Sequence, residues 1–254
     1  MLKKIKILLV LMLLIISSVN SKEIAKIPEA SGICYMVKSD KLIVVNDEGW
    51  IYTLDTNGKN IKKIYLGKYD LEGITYDKSN DKLLVAVEGD ETVLVLNSSS
   101  FKIEKEIKIK RKFKDIELLK KSKKTGVEAI AIDNNGDIYL SNQSKITYKD
   151  KLKVNASVVF RINSIDKKKA KIKEVYNHGY IDIAGLTFYD GYLYMVSDKD
   201  NLLIKYDIQK NKTVKKIKLP KSAQEGICFD NKKNIYIADD NGRVLKYKKE
   251  KLDI

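Results

Sequence analysis

The sequence predicts an all-β chain, a single β-propeller of five four-stranded blades, on three observations. A short phrase, an acidic residue and glycine leading into an apolar strand, is written five times. Short apolar runs bounded by Asn, Asp, Gly and Ser fill the intervals, the pattern of successive strands and tight turns. A strand-like segment also stands ahead of the first phrase, where it can complete the last unit.

The clearest copy of the phrase is Asp70-Leu71-Glu72-Gly73-Ile74-Thr75-Tyr76-Asp77. Related copies run from Glu29 to Ile33, Gly126 to Ile130, Asp182 to Leu186 and Ala223 to Ile227. Counted at the position of Gly73, they fall at residues 32, 73, 129, 185 and 226, in steps of 41, 56, 56 and 41. A repeat of that length marks a propeller or solenoid.

Each copy opens a series of strands. The first unit reads Gly32 to Met36, Leu42 to Asn46, Trp50 to Leu54 and Ile61 to Leu66, with Asn57-Gly58 as a turn that tolerates positive φ. The second reads Ile74 to Tyr76, Leu83 to Val87, Val93 to Leu96 and Ile103 to Ile109. Its basic exit, Arg111 to Thr125, has room for one helical turn at Asp115 to Leu119. The third reads Ile130 to Ile132, Ile138 to Ser141, Val158 to Ile162 and Ala170 to Val175, with an excursion from Gln143 to Ala156. The fourth reads Leu186 to Phe188, Leu193 to Val196, Leu203 to Tyr206 and Thr213 to Ile217. The fifth has three strands, Ile227 to Phe229, Ile235 to Ala238 and Val244 to Tyr247. Residues 24–27 supply the missing outer strand, and closing the ring this way protects its ends. Six blades are the alternative, but they would need a blade hidden in the insertions without a phrase. An open solenoid would call for capping units.

The first residues read as a targeting segment. Lys3, Lys4 and Lys6 precede the apolar run Ile7 to Ile16, and Val19-Asn20-Ser21 offers a cleavage stretch. Residues 1–21 are therefore expected to be a signal peptide or an uncleaved N-terminal membrane anchor, and residues 22–254 the propeller. The run is shorter than the roughly 20 apolar residues of a spanning helix. No cysteine stands just after it, which argues against a lipoprotein anchor. The expected location is exported, periplasmic or associated with the cell membrane.

The net charge of +15 comes from lysines spread over nearly every strand and turn, so it does not mark a nucleic-acid site. No nucleic-acid partner is expected, and the chain is expected to be a monomer. Cys34 and Cys228 each lie two residues past a phrase glycine, where Thr75, Ala131 and Thr187 stand in the other copies. Two packed thiols are the simpler expectation. A bridge becomes conceivable if the first and last units are neighbours with Cα atoms within about 7 Å.

In a propeller the first strand of each blade lines the channel. The position before each phrase glycine carries Ser31, Glu72, Glu128, Ala184 and Glu225, so three carboxylates should converge on one mouth. Their charge needs a cation, a basic neighbour or a proton. A second family, Asp47, Glu88, Asn142, Asp198 and Asp239, ends the second strands. Hard oxygen donors without histidine or thiolate clusters suit Ca²⁺ or Mg²⁺. The predicted metal set is Glu72, Glu128, Glu225, Asn142, Asp198 and Asp239. Against it stand two simpler readings: Asp and Asn end strands because they turn well, and the glutamates can tie blades together. The lone His178 lies beside a turn. No nucleophile elbow, cysteine–histidine pair or phosphate loop is present, so no catalytic residue is assigned.

The succession EASGI, LIVVNDEGWIYTLDTNG, DLEGITYD, LLVAVE, GVEAIAID, DIAGLTFYDGYLYMVSD and QEGICFD…IYIADDNGRVLKY resembles the SdiA-regulated family, the YjiK/CarP-like group of bacterial envelope propellers. The resemblance spans about residues 23 to 248. It implies a propeller of the cell envelope with a link to calcium response and no established enzyme activity. Ala129, Ala184 and Ser31 depart from the phrase and break the symmetry of the mouth. The function expected is therefore a non-enzymatic binding or scaffold propeller, responsive to Ca²⁺, with a protein or small-molecule ligand at the channel mouth. The rival is a Ca²⁺-dependent hydrolase of lactones or phosphoesters, resembling the gluconolactonase and paraoxonase propellers.

Overall fold

The structure is a computed structural model that describes residues 21–120, 126–163, 165, 168–248 and 252. The targeting segment expected over residues 1–21 falls almost wholly outside the described residues. Among those described, no helix is long and apolar enough to cross a membrane.

Five sheets form a five-bladed propeller, as the repeats predict. Blade 1 runs from its inner strand Ala30–Met36 through Lys41–Asn46 and Trp50–Asp55 to the outer Lys62–Tyr65. Blade 2 comprises Leu71–Asp77, Lys82–Val87, Thr92–Asn97 and Ile103–Ile109. Blade 3 comprises Val127–Ile132, Ile138–Asn142, Val159–Ile162 and Ile172–Tyr176. Blade 4 comprises Ile183–Tyr189, Tyr192–Ser197, Leu202–Asp207 and Lys212–Lys218. Blade 5 has Gln224–Phe229, Ile235–Asp239 and Arg243–Tyr247, and its outer strand is Lys22–Lys26. That last strand pairs antiparallel with Arg243–Tyr247, and the Ile27 amide donates to the Gly242 carbonyl at 3.0 Å, so the termini close the ring.

Alternation along the strands builds the core. Leu42 and Val44 pack toward blade 5, while Ile43 and Val45 pack toward blade 2. A strand buried on both faces must be apolar throughout, which is why the second strands read as unbroken apolar runs. Five such interblade cores encircle the axis. The phrase glycines let the inner strands approach closely. A Cβ on Gly73 would lie 2.8 Å from the Ala129 Cα, and one on Gly226 would lie 2.6 Å from the Ile33 nitrogen. The axis at this level is consequently almost filled, with a cavity of about 10 Å³. That is of the order needed for one water.

Three details depart from expectation. Asp115 to Leu119 forms no helical turn; Lys112–Phe113 and Ile116–Glu117 pair as a small hairpin around Lys114, whose φ is +52°. Phe113 and Ile116 pack from this hairpin onto the core between blades 2 and 3. The expected strand Ala170 to Val175 is divided. Lys169–Ala170 joins the outer edge of blade 2 in parallel, and blade 3 ends with Ile172–Tyr176. Cys34 and Cys228 are buried free thiols in different cores, Cys34 between blades 1 and 2 and Cys228 between blades 5 and 1. The blade 1 inner strand contributes to both cores and runs between them, so the packed reading holds.

The acidic mouth of the channel

At the phrase, the ladder between the first and second strands slips register in all five blades: between Ala30 and Ile33, Leu71 and Gly73, Val127 and Ile130, Ile183 and Gly185, and Gln224 and Ile227. Such irregularities re-aim side chains next to functional sites. Here they carry the residue before the glycine toward the mouth. The next backbone bonds close the mouth in the same way in blades 2 to 5. The amides of Glu88, Gln143, Asp198 and Asp240 donate to the carbonyls of Asp70, Gly126, Asp182 and Ala223 at 2.9–3.2 Å.

Those bonds, with the approach of Asp47 to Asp70 and Glu72 in blade 1, sort the predicted second family into two layers. Asp47, Glu88 and Asp198 lie at the mouth, together with Asp240, which the sequence reading missed. Asn142 and Asp239 stand one residue earlier, opposite Val127 and Gln224, equivalent to Asn46 opposite Ala30. That layer closes turns. Asn142 Oδ1 accepts from the Val158 amide at 3.1 Å, and its Nδ2 donates to the Ala156 carbonyl at 3.0 Å. Asp239 is fully buried and accepts from the Asn241 amide, the Ser222 hydroxyl and Arg243 Nη2. The sequence blurs the two layers because an oxygen-bearing residue stands at the end of each second strand in one layer or the other, and the first turn differs in length between blades.

The three phrase glutamates do converge. Burial foremost, then Glu128 and Asp47, hold the Glu72 carboxyl well above the usual range. Burial and then Glu225 and Glu88 do the same to Glu128, and burial with Glu72 and Asp198 does so to Glu225. Burial and Asp70 push Glu88 up to about 7. Burial pushes Asp47 up to about 6 although a hydrogen bond from Ser31 pulls the other way. Asp70, Asp182 and Asp198 are likewise raised, chiefly by burial. Glu72 stands against Asp70, and Glu128 against Glu88, so within each pair two like charges meet and a proton or a cation is favoured there.

Two observations bear on a cation. One ligand oxygen from each of Asp47, Asp70 and Glu72 lies within 4.8 Å of the others. Glu88 is only 9% exposed, and its Oε1 has no hydrogen-bond partner among the described residues. Among the described residues, basic groups act on Glu91 and Asp182. Arg111, from the hairpin that follows blade 2, pairs with the buried Glu91 and donates to the Lys120 carbonyl at 2.9 Å. Even so, burial lifts Glu91 to about 7. Lys145 and Lys199 act on Asp182. His178 takes no part in the cluster; its Nδ1 accepts from the Tyr180 amide, and burial alone lowers its pKa to about 4.

Fold and mouth together define a five-bladed propeller with a converging carboxylate cluster at one end of its channel. The chain belongs to the SdiA-regulated family, whose model matches residues 16–244. No curated protein matches it significantly. Among solved structures it is similar to the glutaminyl cyclase of Myxococcus xanthus, with TM-score 0.65, 10% identity and coverage of 91% of this chain and 94% of that one. A candidate gluconolactonase aligns with TM-score 0.58 and 13% identity over 90% of this chain and 80% of its own. A luciferin-regenerating enzyme gives 0.53 and 15%, over 91% and 76%. At these identities the likeness is one of fold.

Proposed function

We propose that this protein is a non-enzymatic binding propeller of the bacterial envelope, exported to the periplasm or held at the cell membrane, whose acidic mouth takes up Ca²⁺. The observation that carries the reading is the meeting of Asp47, Asp70 and Glu72 oxygens beside the unpartnered, buried Glu88 Oε1. An all-oxygen donor set of this kind fits a hard divalent cation. Asp47, Asp70 and Glu72 would hold the ion, with Glu88, Glu128, Glu225 and Asp198 closing around it. Asn142 and Asp239, from the predicted set, would support the blade edges from behind. Bound Ca²⁺ supplies the positive charge that the cluster lacks. The loaded mouth then offers a neutralised, rigid surface to a protein or small-molecule ligand, with the chain acting as a monomer and no nucleic acid involved.

The test is calorimetric melting with and without millimolar Ca²⁺, for the natural chain and for Glu72→Gln with Glu225→Gln. The reading expects a Ca²⁺-dependent rise in melting temperature that the double variant loses; no rise in the natural chain contradicts it. The close approach of the Glu88 and Glu128 carboxyls favours a second reading, a Ca²⁺-dependent hydrolase in which such a pair serves as acid and base. Turnover on a lactone and phosphoester panel, lost in Glu128→Gln, would support the hydrolase. A Ca²⁺ response without turnover supports the binding propeller.

A further inference from the structure

The inner strands have a second mouth, at their C-terminal ends, and it is built differently. Two residues past each phrase glycine stand Cys34, Thr75, Ala131, Thr187 and Cys228, none larger than threonine. Small side chains at that depth leave the channel unfilled, and a cavity of about 140 Å³ opens there, lined by Cys34, Thr75, Thr187 and Cys228 among others. The volume is of the order of one small ring, although unlike a dry apolar cavity it is open and partly polar.

Polar groups make up much of its lining, but one part of the wall is aromatic and held in place. Tyr189 and Phe229 stack with centroids 4.2 Å apart and planes 8° from parallel. Tyr35 and Tyr76 are anchored by their hydroxyls to Asp40 and Asp81 at 2.7 and 2.6 Å. The charged groups on the lining are already engaged. Asp77 accepts from the Ser79 and Asn80 amides, Asp133 accepts from the Asn135 and Asp137 amides, and Lys78 donates to Asn134 at 2.9 Å. By contrast, among the described residues the Thr75 and Thr187 hydroxyls have no hydrogen-bond partner, and both reach this cavity from different blades.

We infer that the second mouth is a binding site for a small uncharged ring carrying a hydroxyl group. The aromatic wall receives the ring face, and Thr75 and Thr187 exchange hydrogen bonds with the hydroxyl. The inference is independent of what occupies the acidic mouth. Phenol is the probe, with toluene and benzoate as the apolar and the charged counterparts. Saturation-transfer NMR on the full chain should detect phenol at millimolar concentration, with toluene and benzoate clearly weaker. Amide shift changes should cluster at residues 34–36, 74–77, 187–189 and 228–229. Thr75→Val with Thr187→Val preserves volume and removes both hydroxyls, and should weaken phenol about tenfold, the loss of roughly one net hydrogen bond. Absence of phenol binding, shift changes elsewhere, or equal binding of toluene and phenol would overturn the inference. The shift map uses the natural chain, so it decides the matter even if the double variant fails to fold.

Discussion

The two mouths of one channel are lined by the same five strands and handle carboxylates in opposite ways. At the second mouth Asp77, Asp133 and Asp230 each accept two backbone amides from the turn that follows, and Asp230 also receives the Tyr236 hydroxyl at 2.8 Å. At the first mouth the phrase glutamates face one another, and Glu88 keeps an oxygen without a partner. A buried carboxylate with its hydrogen bonds made stabilises a turn, whereas a cluster without them costs stability until a proton or cation arrives. The contrast separates residues that hold the fold from residues kept available for a ligand.

The glycine shared by both mouths gives the largest effect. Gly73→Val would drive a side chain into the Ala129 and Ile130 backbone and separate the inner strands of blades 2 and 3. The expected loss is about 4 kcal/mol or more, read as a collapse of the denaturant midpoint at either mouth's reporter.

Next is a reversal of sign between mouths. Asp230→Ala removes the acceptor of a buried turn and should cost about 2–3 kcal/mol. Glu225→Gln removes one of three buried, mutually repelling carboxyls. It should stabilise the Ca²⁺-free protein by about 1 kcal/mol at pH 8. Urea unfolding of both variants checks the pair; destabilisation by Glu225→Gln to the same degree as Asp230→Ala would erase the distinction.

A smaller effect is expected with pH. Because the mouth carboxyls have folded pKa values above their unfolded ones, the folded state binds more protons than the unfolded chain in the window between them. Their contribution is fully present below the unfolded values and is lost as pH rises through about 6 for Asp47 and about 7 for Glu88. Without Ca²⁺, the melting temperature should therefore fall between about pH 5 and pH 8, by roughly 2–4 °C for each kcal/mol lost. Saturating Ca²⁺ should flatten that slope. A melting temperature that rises over the same window in a chelator would contradict the account of the first mouth.

Much of this architecture is legible in the residues themselves. Five phrases, unbroken apolar second strands and a spare N-terminal strand lead to the closed ring because each feature reports burial on both faces of a blade. The convergence of Glu72, Glu128 and Glu225 is legible for the same reason: equivalent positions on inner strands must share a mouth. What is not legible depends on single-residue offsets. Turn lengths differ between blades and the ladder slips at each phrase, so choosing the oxygen-bearing residue at the end of each second strand grouped Asn142 and Asp239 with Asp47, Glu88 and Asp198 and passed over Asp240. Asp70 and Asp182, both three residues before a phrase glycine, open their copies of the phrase, yet the phrase alone does not mark them as facing the mouth. The Lys112–Phe113 hairpin follows from where Phe113 and Ile116 can be buried, a tertiary matter that local propensity does not report.

The most direct test of the central claim is a calorimetric titration of the chelator-treated chain with Ca²⁺ near pH 7 in two buffers of different ionisation enthalpy. A cluster that holds shared protons must release them as the cation enters. The account predicts saturable binding whose apparent enthalpy changes with the buffer, and a smaller proton release in Glu72→Gln. Saturable binding with no buffer dependence, or no binding at all, would contradict it.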